Sequence, residues 1–252
     1  MRVVLVGSGN VASHMARAFK ASGHTVLQVW SATFEHAAVL AEAVDAEPIH
    51  GLSDISEEAD LIMISVKDDA ISHLVSQLVS NAIVVHTSGA TDIAALSHFK
   101  RHGVLYPLQT FSKSKALDFT RVPLCIEANN EETLTLLKDL SESLSSAVYS
   151  VDSAKRKILH LAATFACNFV NQLYALSNDL LAQHHLDFDL LRPLIAETAE
   201  KVQYILPIEA QTGPAVRNDK KTLQAHLELL ESQPELKNIY QTLSDSIKKS
   251  HQ

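Results

Sequence analysis

Near the start of the chain an apolar strand pattern runs into a glycine turn: Arg2-Val3-Val4-Leu5-Val6 is followed by Gly7-Ser8-Gly9-Asn10-Val11-Ala12. Nothing else in the sequence restricts the fold so tightly. The order is that of the G-x-G-x-x-A dinucleotide fingerprint, set between a strand and a helical run over 11–21. Gly7 suits a sharp exit from the strand. Gly9 leaves the backbone bare for a pyrophosphate, and Ala12 lets the helix lie close to the sheet. The helix start offers free N–H groups and partial positive charge to phosphate oxygens. Gly7, Ser8, Gly9, Asn10 and Val11 are therefore the first candidate cofactor-binding residues.

Strand and helix patterns go on alternating through the first half. Strands are predicted at 25–30, 59–66, 82–86, 103–106, 122–127 and 147–151, and helices at 34–44, 69–78, 92–101 and 131–144. The stretch 59–66 is apolar on both faces, the mark of a buried parallel strand. This alternation predicts an α/β fold, a doubly wound, mostly parallel Rossmann sheet with ligands at the strand C-terminal ends. From Asp152 the period becomes helical throughout, over 154–183, 189–206, 218–230 and 234–250. Pro193 is tolerable in a first turn, and Asn218 is a candidate N-cap. The chain thus divides into a dinucleotide-binding domain, 1–151, and an all-α substrate and dimerisation domain, 152–252.

With 252 residues, 46% of them hydrophobic, the chain can bury a sizeable core. A net charge of −8 and no basic run longer than Lys155-Arg156-Lys157 argue against a nucleic-acid partner. Cys125 and Cys167 form no C-x-x-C pair, which fits a reducing compartment and argues against a thiolate metal site. No His/carboxylate spacing suggests a metal either. The first strand occupies the N-terminus, where a signal peptide would lie, and no apolar stretch reaches the roughly 18 residues of a membrane span. A cytoplasmic protein without a membrane partner is expected.

The end of the second strand reports on the adenosine ribose. Trp30-Ser31-Ala32-Thr33 carries no acid to hold the 2′-OH of NAD, whereas Ser31 and Thr33 can hydrogen-bond the 2′-phosphate of NADP. No Arg or Lys lies between Val26 and Leu61, so NADP is expected and NAD stays open. Three loops at strand ends then surround a nicotinamide. Val66 precedes Lys67, either a general acid or a solvated side chain. Ser88 and Gly89 bring backbone N–H groups and a hydroxyl. Gln109, in Tyr106-Pro107-Leu108-Gln109-Thr110, orients a substrate or satisfies its own turn.

The helix over 154–183 carries a polar stripe on an apolar, hence buried, centre. His160, Thr164, Asn168 and Asn171 share one face at i, i+4, i+8 and i+11. One reading has them hydrogen-bonding a neighbouring helix or a second subunit. The other makes them a wall facing the nicotinamide, with His160 and Asn168 catalytic. Reduction of C=O or C=N needs a proton donor, and His160 is the stripe's only group that titrates near neutrality. Thr164, Asn171 and Gln109 then touch a small-molecule substrate. In Thr212-Gly213-Pro214-Ala215-Val216-Arg217-Asn218-Asp219, Arg217 either clamps a substrate anion or pairs with Asp219 beside a helix cap.

These residues carry a family resemblance over the whole chain. Gly7 to Ala12, His86 to Gly89, Tyr106 to Phe111, His160 to Ala163 with Asn168, and Thr212 to Asp219 resemble bacterial Rossmann-like proteins with a C-terminal helical domain of unknown function. Those proteins are similar to pyrroline-5-carboxylate reductase and the deazaflavin-dependent NADP oxidoreductases. The resemblance implies NADP in the N-terminal domain and a helical domain that forms a homodimer and closes the site. One departure is Ala32, where such proteins often carry a basic residue. Two functions follow: an NADP-dependent oxidoreductase acting on a small carbonyl or imine, or a non-catalytic nucleotide-binding regulator or scaffold on a reductase fold.

Overall fold

In β1 (Arg2–Val6) the residues Val3, Val4, Leu5 and Val6 are all buried, because they feed two cores on opposite faces of one sheet. Val3 and Leu5 pack with Met15, Phe19 and Leu137; Val4 and Val6 pack with Ile71 and Val75. This is the period-two signature of a strand covered on both sides. The computed structural model describes residues 1–112, 115 and 117–251.

The remaining strands are β2 (Thr25–Trp30), β3 (Glu47–Ile49), β4 (Leu61–Ile64), β5 (Ile83–His86), β6 (His102–Pro107), β7 (Leu124–Ala128) and β8 (Val148–Ser150). They form one eight-stranded sheet in the order β3-β2-β1-β4-β5-β6-β7-β8. Every neighbouring pair is parallel except β6 with β7. The expected doubly wound Rossmann sheet is thus present, and the strand order reverses between β1 and β4, where such sheets open a crevice. Helices α1 (Asn10–Ala21), α2 (Phe34–Val44), α3 (Asp68–Val75) and α4 (Glu131–Leu144) connect the strands. The short strand β3 carries a proline and only three residues, too little for periodicity to reveal. The helix expected over 92–101 is only a 3-10 turn, Ile93–Leu96, capped by Asp92.

Beyond β8 the chain is helical, as the period change at Asp152 implies. The predicted single helix over 154–183 is interrupted: α5 (Ser153–Ala163) gives way to a π-helical turn, Thr164–Phe169, before α6 (Val170–Gln183). Then come α7 (Arg192–Lys201), α8 (Pro207–Ala210), α9 (Lys220–Leu229) and α10 (Pro234–Ser250). Asp219 caps α9 by accepting from the Thr222 N–H at 3.1 Å, while Asn218 takes a left-handed φ of 50° just before it. The carboxylate therefore does what the sequence reading assigns to Asn218.

The chain packs as two compact units, Met1–Asn168 and the residues from Phe169 onward. The second unit has little core of its own. Among its described residues only Ala215, Leu223, Leu230 and Ser244 are buried. The expectation that the centre of the 154–183 region is buried fails for the single chain, where Leu161 is 54% and Phe165 62% exposed. An apolar surface all round a helix asks for a cover, and among the described residues Leu161 remains more than half exposed. Among the described residues no helix is long and apolar enough to cross a membrane.

The junction of β1 with α1 is the tightest point of the first unit. Gly7 has a φ of +127°, and a Cβ placed on it would lie 2.0 Å from the Ser65 carbonyl oxygen. Its N–H donates to the Trp30 carbonyl at 2.8 Å. Both the backbone conformation and the space exclude a side chain. Gly7→Ala should therefore lose about 3 kcal/mol of stability, read as a lower urea midpoint; an unchanged midpoint contradicts the packing described.

Candidate cofactor and active site

The carboxyl ends of β1, β2, β4, β5 and β6 surround a cavity of about 1010 Å³. Its wall is built element by element. The turn after β1 contributes Gly7, Ser8, Gly9, Asn10 and Val11, and the end of β2 contributes Ser31. Val66 and Lys67 come from the loop after β4, Thr87, Ser88 and Gly89 from that after β5, Tyr106 from the end of β6, Gln109 from the loop after it, and His160 from α5. Eleven of the sequence-predicted residues thus share one cavity.

The others lie elsewhere. Thr33 is the N-cap residue of α2 and makes no side-chain cap bond. Thr164 and Asn168 sit in the π turn and do not line the cavity; Thr164 Oγ1 donates back to the His160 carbonyl at 3.1 Å. A stripe at i, i+4 and i+8 presumes 3.6 residues per turn, and the π turn, with its i→i+5 bonds, breaks that register. Asn171 and Arg217 belong to the second unit, both exposed. The Thr222 backbone and hydroxyl hold the Asp219 carboxyl below its ordinary range, and Arg217 adds a weaker pull.

Within the wall, small groups fix one another. Ser8 Oγ donates to Ser31 Oγ at 2.9 Å, joining the glycine turn to the end of β2. Asn10 Nδ2 donates to the Phe111 carbonyl at 3.0 Å, so that side chain holds the loop after β6. Ser88 Oγ accepts from the Ala90 and Thr91 N–H groups at 3.1 and 2.9 Å and closes its own loop.

Opposite the glycine turn a second constellation appears that the sequence reading missed in part. Tyr106 Oη lies 3.0 Å from His160 Nδ1, with the rings edge to face. Burial pushes the Tyr106 phenol up to about 12, so it stays neutral. Both rings crowd over Gly89: a Cβ there would meet His160 Nδ1 at 2.6 Å and Tyr106 Cζ at 2.9 Å. The glycine is what lets the pair form. Tyr106 ends an apolar strand, so its pattern reads as core, and only its partner across 54 residues reveals a role. His36 and His73 also line the cavity and carry no sequence signal beyond their residue type.

One turn before His160, fully buried Arg156 anchors α5. It pairs with Glu127 of β7 and donates to the Thr91 carbonyl at 2.6 Å and to Ser153 Oγ at 3.0 Å. Ser153 in turn donates to Glu127 at 2.7 Å and accepts from the Ile93 N–H at 3.0 Å. The ion pair ties the first turn of α5 to β7, and the bond to Thr91 ties it to the loop after β5. Removing one partner of such a buried pair costs about 3–5 kcal/mol.

Comparison with known proteins fits this architecture. Residues 1–111 match a family described as Rossmann-like domain, and residues 122–247 match the Domain of unknown function (DUF2520). The chain belongs to the DUF2520 family. It is 41% identical, over 98% of both chains, to a Bacteroides fragilis protein provisionally named an NADP oxidoreductase, with a TM-score of 0.91. Pyrroline-5-carboxylate reductase from Streptococcus pyogenes superposes with a TM-score of 0.67 at 12% identity, over 99% of this chain and 98% of that one. A reductive aminase from Aspergillus terreus, crystallised with a reduced nicotinamide cofactor, cyclohexanone and allyl amine, gives 0.74 at 14% identity over 100% and 96%. At those identities the likeness is one of fold alone. No functionally curated protein matches the sequence.

The residues present fit a dinucleotide. Gly9 has an ordinary φ of −71°, and a Cβ built on it meets no atom within 4 Å. The fold therefore does not need a glycine there. The space it leaves, at the N-terminus of α1, suits a phosphate.

His86, behind the Ser88 loop, gives a stability prediction. Its Nδ1 accepts from the Ser88 N–H at 3.2 Å, and burial, helped by Arg156, pushes the imidazole down from 6.5 to about 4. As pH falls through this window the unfolded chain takes up a proton that the folded chain refuses, so folding weakens. The loss should reach about 3 kcal/mol by pH 4. In His86→Gln the difference between urea midpoints at pH 7 and pH 4.5 should shrink accordingly; an identical pH dependence contradicts the assignment.

Proposed function

We propose that the chain binds NADP(H) in this cavity and reduces a small carbonyl or imine compound, a hydride going to carbon and a proton to the heteroatom. What supports this reading above all is one cavity lined both by the bare backbone of Gly9 and by the Tyr106–His160 pair. Solved reductases of the same fold, one crystallised with a reduced nicotinamide cofactor, point the same way. Backbone N–H groups of Gly7 to Val11 hold the pyrophosphate, and Ser31 meets the ribose phosphate. Val66, Ser88 and Gly89 flank the nicotinamide, and Gln109 contacts the substrate. The bound cofactor supplies the hydride.

Protonated His160 donates its Nδ1–H to the Tyr106 oxygen, which turns Nε2–H toward the substrate heteroatom. After the proton has moved, the Tyr106 bond keeps the remaining ring proton on Nδ1. Neutral Tyr106 is the positioning residue and His160 the proton donor. The test is NADPH-dependent reduction of small cyclic imines and ketones, with product identified by mass. Gly9→Val should abolish NADPH binding in a folded protein. His160→Gln should slow turnover by about a hundredfold and flatten the pH profile. Tight NADPH binding without turnover of any such compound would instead select the regulatory reading.

We further propose a cytoplasmic homodimer, with the helical region as its seam. Exposed Leu161, Leu194 and Leu206, and the near absence of a core in the second unit, support it, since apolar surface of this extent marks an interface. Asn168, Thr164 and Asn171 then serve that seam. Sedimentation at micromolar concentration should give a dimer; a stable monomer overturns this.

A further inference from the structure

Resting on the dinucleotide reading above, we propose that His36 reads the 2′-phosphate of NADPH and so makes the choice between NADPH and NADH depend on pH. A 2′-phosphate is ordinarily met by an arginine near the end of the second strand. This chain has no Arg or Lys between Val26 and Leu61. The end of β2 nevertheless forms a wall of the cavity through Trp30, Ser31 and Ala32, and His36 stands in that wall with them. His36 is held in the first turn of α2 by its N–H, which donates to the Thr33 carbonyl at 3.1 Å. The helix start adds its own positive potential toward an anion.

The carboxylate that a 2′-OH requires is missing from this wall. Glu35 is exposed and outside the lining, and Asp68, at the start of α3, is the one acid among the described lining residues. Ser31 Oγ accepts from Ser8 and keeps its own O–H to donate. A hydroxyl donor and an imidazole in one wall suit a phosphate far better than a ribose hydroxyl pair. A histidine changes charge between pH 5 and 8, so here the attraction is one that pH turns on.

The other titratable groups that face this space come from every neighbouring element: Lys67 before α3, Asp68 and His73 on α3, Tyr106 on β6 and His160 on α5. His50, after β3, stacks on Phe34 with ring centroids 3.8 Å apart. His73, hydrogen-bonded to Gln77 at 2.9 Å, is the rival imidazole, and the experiment separates the two.

Dissociation constants of NADPH and NADH are measured on the full chain by cofactor fluorescence between pH 6.5 and 8.5. The ratio of Kd(NADH) to Kd(NADPH) should rise about five- to tenfold as pH falls across this range. The 2′-phosphate itself loses charge near pH 6, which acts in the opposite direction, so a rise identifies a protein cation. His36→Ala should lower the ratio and flatten it. His36→Arg should raise it and also flatten it, while His73→Gln leaves the wild-type slope. A flat wild-type ratio, a slope that survives His36→Ala, or a slope lost in His73→Gln overturns the proposal. Binding of both dinucleotides with a flat ratio sinks this inference alone. Binding of neither sinks the dinucleotide reading as well.

Discussion

The contact of Gly7 with the Ser65 carbonyl is the constraint on which the rest of the site depends. Two parallel strands, β1 and β4, end side by side, and their chains must leave in different directions without separating. Only a residue without a Cβ, at a φ of +127°, turns at that distance. The turn then aims the first N–H groups of α1 across the crevice. Its own N–H, bonded to Trp30, holds the end of β2 against the same edge. Three strand ends are thus registered by one backbone junction, and the cavity opens where they meet.

A second anchor fixes the opposite wall. Arg156 lies fully buried with Glu127, Thr91 and Ser153 around it, and its hydrogen bonds tie α5 to β7 and to the loop after β5. His160 follows one turn later and reaches Tyr106 over Gly89. The imidazole is therefore mounted on a rigid support rather than on a free helix. For the proton transfer proposed above, such a support holds the one distance on which the step depends.

How much of this was legible in the sequence depended on the range of the interaction. The glycine turn and the two-faced strands are local patterns, so the sheet and eleven of the cavity residues could be read directly. The Tyr106–His160 pair spans 54 positions and depends on the absence of a side chain at Gly89, which no spacing expresses. The π turn is invisible for another reason. Thr164 to Phe169 has ordinary helical composition, and only the backbone shows that its bonds have slipped by one residue. His36 escaped because a lone histidine on a surface helix looks like any other. The supposed buried stripe failed because an apolar pattern all round a helix asks for a cover without saying what supplies it.

The Arg156–Glu127 pair also limits how this sequence can change over time. A lineage that loses either partner first passes through a state with a bare charge inside the protein, whereas an apolar pair of matched volume is tolerated once both have changed. Single steps away from the pair are steep, and the level ground lies two steps off. Drift at positions 127 and 156 is therefore coupled, and the histidine mounted one turn further on inherits that restraint although nothing it touches imposes it.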